Sequence, residues 1–180
     1  MNLVRTEFDD GVLTVTLCDE ENRNALSAEL TSELAQTLDE AEDNPEVRVI
    51  VLTNSGRVFC AGADLSERSS SKKSESPTKP VDPLEIFSRF RKSSKPYIGK
   101  IAGHCVAGGM GLAAAMDISI AIEEAKFGFT EVRIGVAPAM ISVLCLPKMR
   151  PAEASEAFLR GNRFLAPEAV RMGLINAAVP

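Results

Sequence analysis

Four short runs of β-branched and aliphatic residues, 12–17 (VLTVTL), 47–52 (VRVIVL), 97–102 (YIGKIA) and 118–122 (ISIAI), are separated by segments of helical character. This alternation constrains the fold more than any other feature. Strands joined through a helix run parallel and bury both faces, unlike hairpin strands. The near-continuous apolarity of 47–52 fits a buried strand, and the alternating 12–17 fits a half-exposed one. The first helix opens at Ser27, a good N-cap, carries Leu30, Leu34, Leu38 and Ala41 on one stripe, and ends near Asn44-Pro45. Further helices are predicted at 84–94, 108–116, 139–149, 152–159 and 167–173, the last three broken by Pro147, Pro151 and Pro167. The pattern predicts an α/β fold in one domain over 1–180, with no internal repeat. Segment 66–83 is rich in Ser, Lys and Pro, has almost nothing to bury, and reads as a flexible surface loop.

A chain of 180 residues that is 45% hydrophobic is long enough to bury a real core, which argues against disorder and against a disulfide scaffold. No apolar run approaches the roughly 20 residues of a membrane span, and the N-terminus carries no apolar signal segment. A cytoplasmic protein with no membrane partner is therefore expected. The net charge of −5 is uneven: residues 1–48 carry −10 and residues 49–180 carry +5. Arg89, Arg91, Lys92, Lys95 and Lys100 fall in a stretch with no acid between Glu85 and Asp117. An acidic total and few aromatics argue against a nucleic-acid partner. The basic run reads as a solvated helix face, with contact to a polyanionic small molecule as the alternative. Cys18, Cys60, Cys105 and Cys145 follow no metal or redox spacing and read as small buried residues; no metal site is expected. His104 adjoins Cys105, but neighbours on an extended chain point to opposite faces, so His104 reads as structural.

The chemistry concentrates in three stretches of small residues: 56–65 (GRVFCAGADL), 103–112 (GHCVAGGMGL) and 126–138 (KFGFTEVRIGVAP). The first two are read as turns directly after strands, leading into helices. Such turns leave backbone N–H groups unpaired, and two that converge bind an oxyanion or a phosphate. The third sets Glu131 among apolar neighbours.

The order FCAGADL, KPYIGKIAGHCVAGGMGLAAAMDISIA and AKFGFTEVRIGVAP resembles the enoyl-CoA hydratase/isomerase (crotonase) family, from NRNALS at 22–27 to GLINAAVP at 173–180. The resemblance implies a crotonase-like ββα spiral (the ClpP/crotonase fold) that lacks the family's C-terminal helical trimerisation region. It implies an acyl-CoA thioester as substrate, with no cofactor beyond the coenzyme A of that substrate, and a homo-oligomer, trimer or hexamer. The backbone N–H groups of Ala63 and Gly108 would form the oxyanion hole. Ala61, Gly62, Asp64 and Leu65 would line the acyl-CoA channel, with Gly111 also on the substrate side, and the loop with Arg23, Asn24 and Ala25 would lie along the coenzyme.

One departure stands out. Ordinary hydratases carry a first glutamate where this chain has Gly111, and a second where it has Glu131. The stretch TEVRIGVAPAMIS is closest to single-glutamate members of the methylglutaconyl-CoA hydratase kind, which makes Glu131 the sole acid/base, with Asp117 structural. The expected activity is addition of water across C2–C3 of an enoyl-CoA, a lyase reaction of lipid metabolism. A Δ3,Δ2-enoyl-CoA isomerase and a non-catalytic acyl-CoA-binding protein are the alternatives. Gly109 to Ala114 also fits GxGxxA, but the glycine sits too far beyond its strand for a dinucleotide turn.

Overall fold

The computed structural model describes residues 2–65, 67 and 81–180; the expected loop at 66–83 lies outside the described residues apart from Glu67 and 81–83. β1 (Val4–Asp9) and β2 (Val12–Leu17) form a hairpin. Its two turn residues, Asp10 and Gly11, have φ of 40° and 80°, the left-handed pair that matches strand twist. α1 (Ala28–Asp43) starts where the Leu30 N–H donates to the Ser27 hydroxyl at 3.1 Å. Leu30, Leu34, Leu38 and Ala41 are buried, as their spacing predicts.

Three passes of one form follow. β3 (Val49–Asn54) turns within three residues into β4 (Val58–Cys60), and α2 (Pro83–Lys92) lies beyond the undescribed segment. β5 (Tyr97–Ile101) turns into β6 (His104–Val106) and then α3 (Gly108–Ala115). β7 (Ile118–Ile122) turns into β8 (Lys126–Gly128) and a 3-10 helix, Thr130–Ile134. The rest comprises α4 (Ala139–Cys145), α5 (Pro151–Arg160), β9 (Phe164–Leu165), α6 (Ala166–Arg171) and β10 (Ala177–Val179).

The first strand of each pass joins a six-stranded sheet, β1-β2-β3-β5-β7-β10, parallel from β2 onward. The second strand joins a four-stranded sheet, β4-β6-β8-β9, parallel except for β9. The fold is thus the expected ββα spiral. One expectation is corrected here. Each small-residue block is not simply a turn after its strand: it contains a three-residue strand of the second sheet, too short to show a period. The structure also repeats although the sequence does not, because each pass fills its space with different side chains.

Phe59, Cys60, Cys105, Phe127 and Phe129 are fully buried around the second sheet. Phe127 stacks on Phe164 at 6.4 Å between ring centroids, and Phe129 lies 4.0 Å from Phe158. The basic run proves partly structural. Arg89 pairs with Asp39 across α1 and with Glu85 in its own helix, and the Lys95 ammonium donates to the Ala41 and Asn44 carbonyls at the end of α1. Arg91, Lys92 and Lys100 are exposed. Cys18 departs from the buried expectation, being only half-buried, while Cys60, Cys105 and Cys145 are enclosed; all four are free thiols. No described helix is long and apolar enough to cross a membrane.

Candidate active site

The exits of β4 and β6 lie side by side. At the first, Gly62 has φ +92°, and a Cβ there would come within 2.7 Å of the Ala107 Cβ and 2.9 Å of the Gly108 nitrogen. Only glycine combines that backbone with that approach. The Gly62 carbonyl accepts from the Leu26 N–H at 2.7 Å. In a trans peptide the N–H opposes the carbonyl, so this bond turns the Ala63 N–H the other way. At the second exit Ala107 is held at φ 50°, and its carbonyl accepts from the Met110 N–H at 2.8 Å, which likewise turns out the Gly108 N–H at the start of α3. Among the described residues, neither the Ala63 nor the Gly108 N–H has a backbone partner.

Both exits open on a cavity of about 1000 Å³, walled by Leu26, Ala61, Ala63, Leu65, Phe87, Gly108, Glu131 and Ile141 among others. The volume suits a small-molecule site. Glu131 enters from the 3-10 helix after β8. Burial pushes its carboxyl above the usual glutamate range, its own backbone N–H acting in the opposite direction, and among the described residues Oε2 is enclosed without a hydrogen-bond partner. A carboxylate of raised pKa and two free amides therefore share one apolar space, able to move a proton beside a developing oxyanion.

Other nucleophiles fall away. Burial pushes the Cys60 thiol up to about 12 and raises Cys105 and Cys145 as well, leaving all three protonated near neutrality. His104 accepts from the Lys126 N–H at Nδ1 (3.2 Å); burial first, then Lys126, Arg163 and Arg57, hold its pKa below the ordinary value.

Comparison with known proteins decides the family. The enoyl-CoA hydratase/isomerase family model matches residues 7–180. The chain belongs to the enoyl-CoA hydratase/isomerase family. A Thermus thermophilus member, provisionally named an enoyl-CoA hydratase, is 39% identical over 94% of this chain and 68% of its own length. The (E)-benzylidenesuccinyl-CoA hydratase of Thauera aromatica is 35% identical over 98% of this chain and 69% of its own. The crystal structure of an enoyl-CoA hydratase from Mycobacterium avium superposes with TM-score 0.83 at 39% identity, over 98% of this chain and 70% of that one.

Against the family pattern, the structure gathers Ala61, Ala63, Asp64, Leu65, Gly108 and Glu131 around the cavity. Gly62 is buried directly behind it. Arg23 is exposed at φ 55° on the 22–26 loop, with Ala25 buried behind it. Asn24 is a correction: its side chain is fully buried and donates to the Val58 carbonyl at 2.7 Å, so it is not open to a coenzyme. Gly111 is another. It is buried in α3, where a Cβ would sit 2.6 Å from Ile141 Cγ2 and 3.0 Å from Phe87 Cζ. Gly111 is therefore behind the cavity wall and not on it; two side chains of that wall stand where a Cβ would project. Asp117 accepts from the Tyr97 N–H at 2.7 Å, a structural bond. Gly109 to Ala114 lie inside α3, not on a strand-to-helix turn, which leaves no dinucleotide loop there. Sequence reasoning missed Phe87 and Ile141, which reach the cavity from separate helices; the apolar faces of those helices were the only signal.

Proposed function

We propose that the chain is an enoyl-CoA hydratase-like lyase, and that Ala63, Gly108 and Glu131 carry the reaction. The reading rests on one observation: the desolvated Glu131 carboxyl and the two unpaired amides border the same cavity. The thioester oxygen would accept from both N–H groups, with Ala61, Gly62, Asp64 and Leu65 flanking the thioester and Arg23 and Ala25 beside the coenzyme. Glu131, ionised, takes a proton from water as the oxygen bonds to C3 and the π electrons move through C2 onto the thioester oxygen. The protonated carboxyl then returns that proton to C2 as the enolate collapses. One carboxylate suffices because the proton taken is the proton given. Losing one oxyanion donor costs about 2.7–4 kcal/mol of transition-state stabilisation, and losing the acid/base about 10²–10⁴ in rate.

The packing of Gly111 favours a second reading. With no second carboxylate, a Δ3,Δ2-enoyl-CoA isomerase would use Glu131 to carry a proton between C4 and C2. Crotonyl-CoA and a 3-enoyl-CoA separate the two. Hydration lost in Glu131→Gln supports the lyase; isomerisation alone supports the second; tight acyl-CoA binding with no turnover of either would sink both. We also propose a single core domain over 1–180, no resident cofactor, and a cytoplasmic setting, where CoA thioesters occur. A homo-oligomer, trimer or hexamer, is proposed from the exposed apolar side chains Ile134, Met140, Val143 and Leu146.

A further inference from the structure

The proposed oxyanion hole depends on the direction of one peptide plane, that between Gly62 and Ala63, whose carbonyl accepts from outside the turn. Gly62 is the most permissive residue type, and the bond from its N–H to the Cys60 sulfur at 3.4 Å orients the preceding peptide plane, not this one. The plane is set from outside, by segment 22–26. The Ala61 N–H donates to the Arg23 carbonyl at 3.2 Å, the Leu26 N–H donates to the Gly62 carbonyl at 2.7 Å, and the Asn22 amide donates to Asp64 at 2.8 Å.

A fully buried side chain of that segment ties it to the chain around β4. Asn24 is 0% exposed, and its Nδ2 donates to the Val58 carbonyl at 2.7 Å and reaches the Ser55 carbonyl at 3.4 Å. Its N–H donates to the Asp19 carbonyl at 2.7 Å. Asn24 thus grips the chain at the start of β4, while its neighbours grip the chain just after it. It does so at φ 50°, a left-handed backbone that asparagine tolerates better than most residues. Its Oδ1 is buried with no partner among the described residues.

We propose that Asn24 is the positioning residue of the oxyanion hole: through segment 22–26 it fixes the Gly62–Ala63 peptide plane and so aims the Ala63 N–H at the thioester oxygen. This rests on the hydratase reading above. Asn24 does not touch substrate.

The test uses the full chain and Asn24→Gly, which keeps the left-handed backbone and removes both side-chain donors. Cinnamoyl-CoA serves as a conjugated thioester whose absorption moves to the red when its carbonyl is polarised. The variant is expected to fold, to bind cinnamoyl-CoA within about threefold of the wild-type Kd, and to lose most of the red shift. Its kcat for crotonyl-CoA hydration should fall about 10- to 100-fold with KM little changed, as misplacing one catalytic group would predict. An unchanged red shift, or a raised KM with kcat kept, would overturn the proposal, because those are the marks of a plain fold or coenzyme contact. Should Asn24→Gly fail to fold, Asn24→Ser, which keeps one donor, is read in the same way; failure of both marks a residue needed for folding alone and also overturns it. The spectral shift needs binding only, so a wild type that polarises cinnamoyl-CoA without hydrating crotonyl-CoA refutes the hydratase reading while leaving Asn24 open to judgement.

Discussion

Glu131 joins folding and chemistry in a single titration. Because its folded pKa lies above the unfolded one, the folded chain holds the extra proton between the two, and stability falls as pH rises through that window. Below the ordinary glutamate range no penalty is felt; above the raised value it is complete. Glu131→Gln should therefore raise Tm at neutral pH, with the advantage fading as pH falls to the ordinary range, measured by thermal denaturation against pH. The acidic limb of kcat/KM for crotonyl-CoA should also lie above the usual glutamate range, since the base must be ionised. Gly111 makes the complementary case. Gly111→Glu, which restores the two-carboxylate pattern on paper, should destabilise the fold by about 1–3 kcal/mol through overpacking against Ile141 and Phe87, and should not raise hydration. A gain in kcat would show that the wall yields and that one carboxylate limits the rate.

At the scale of the element, the site is three strand exits held in register by β4, β6 and β8, each of only three residues. Strands so short have little stability of their own and depend on α3, packed against β4 and β6, and on α6, packed against β8. α1 begins immediately after the segment that sets the oxyanion turn, so its cap belongs to the site as well as to the helix. Ser27→Ala removes the bond to the Leu30 N–H and should cost about 1 kcal/mol, read as a lower urea midpoint at unchanged m-value. Substituting the exposed pair Arg160 and Glu156, which lie in α5 far along the chain from these turns, should change stability by less than about 0.5 kcal/mol.

For the whole molecule, two sheets joined pass by pass explain how residues as distant in sequence as Leu26, Ala63, Gly108 and Glu131 come to border one cavity. Much of the outer surface of α4 remains apolar: Val143 is 60% exposed, beside Met140 and Leu146. If this face joins copies of the chain, Val143→Asp should shift the sedimentation profile toward the monomer without changing the far-UV dichroism. An unchanged profile would place the contact elsewhere.

The stripe of α1, four strands of the first sheet (β2, β3, β5 and β7) and the α/β class were legible in the sequence because helical and extended periods are properties of a few adjacent residues. Glu131 and the small-residue turns were legible as ordered motifs. The hairpin strand β1 escaped because VRTEFD carries no clean alternation, although Asp10-Gly11 marked its turn. The second sheet escaped because strands of three residues have no period to read. Asn24, with a sequence neighbourhood that suggested a ligand contact, turned inward because the carbonyls its amide reaches, Ser55 and Val58, belong to a segment some thirty residues later. Local pattern alone determined the helices and the longer strands and marked which residues could do chemistry. Only the tertiary structure decided where each free amide points and that Gly111 has no room for a second acid, because those depend on groups brought together solely by packing.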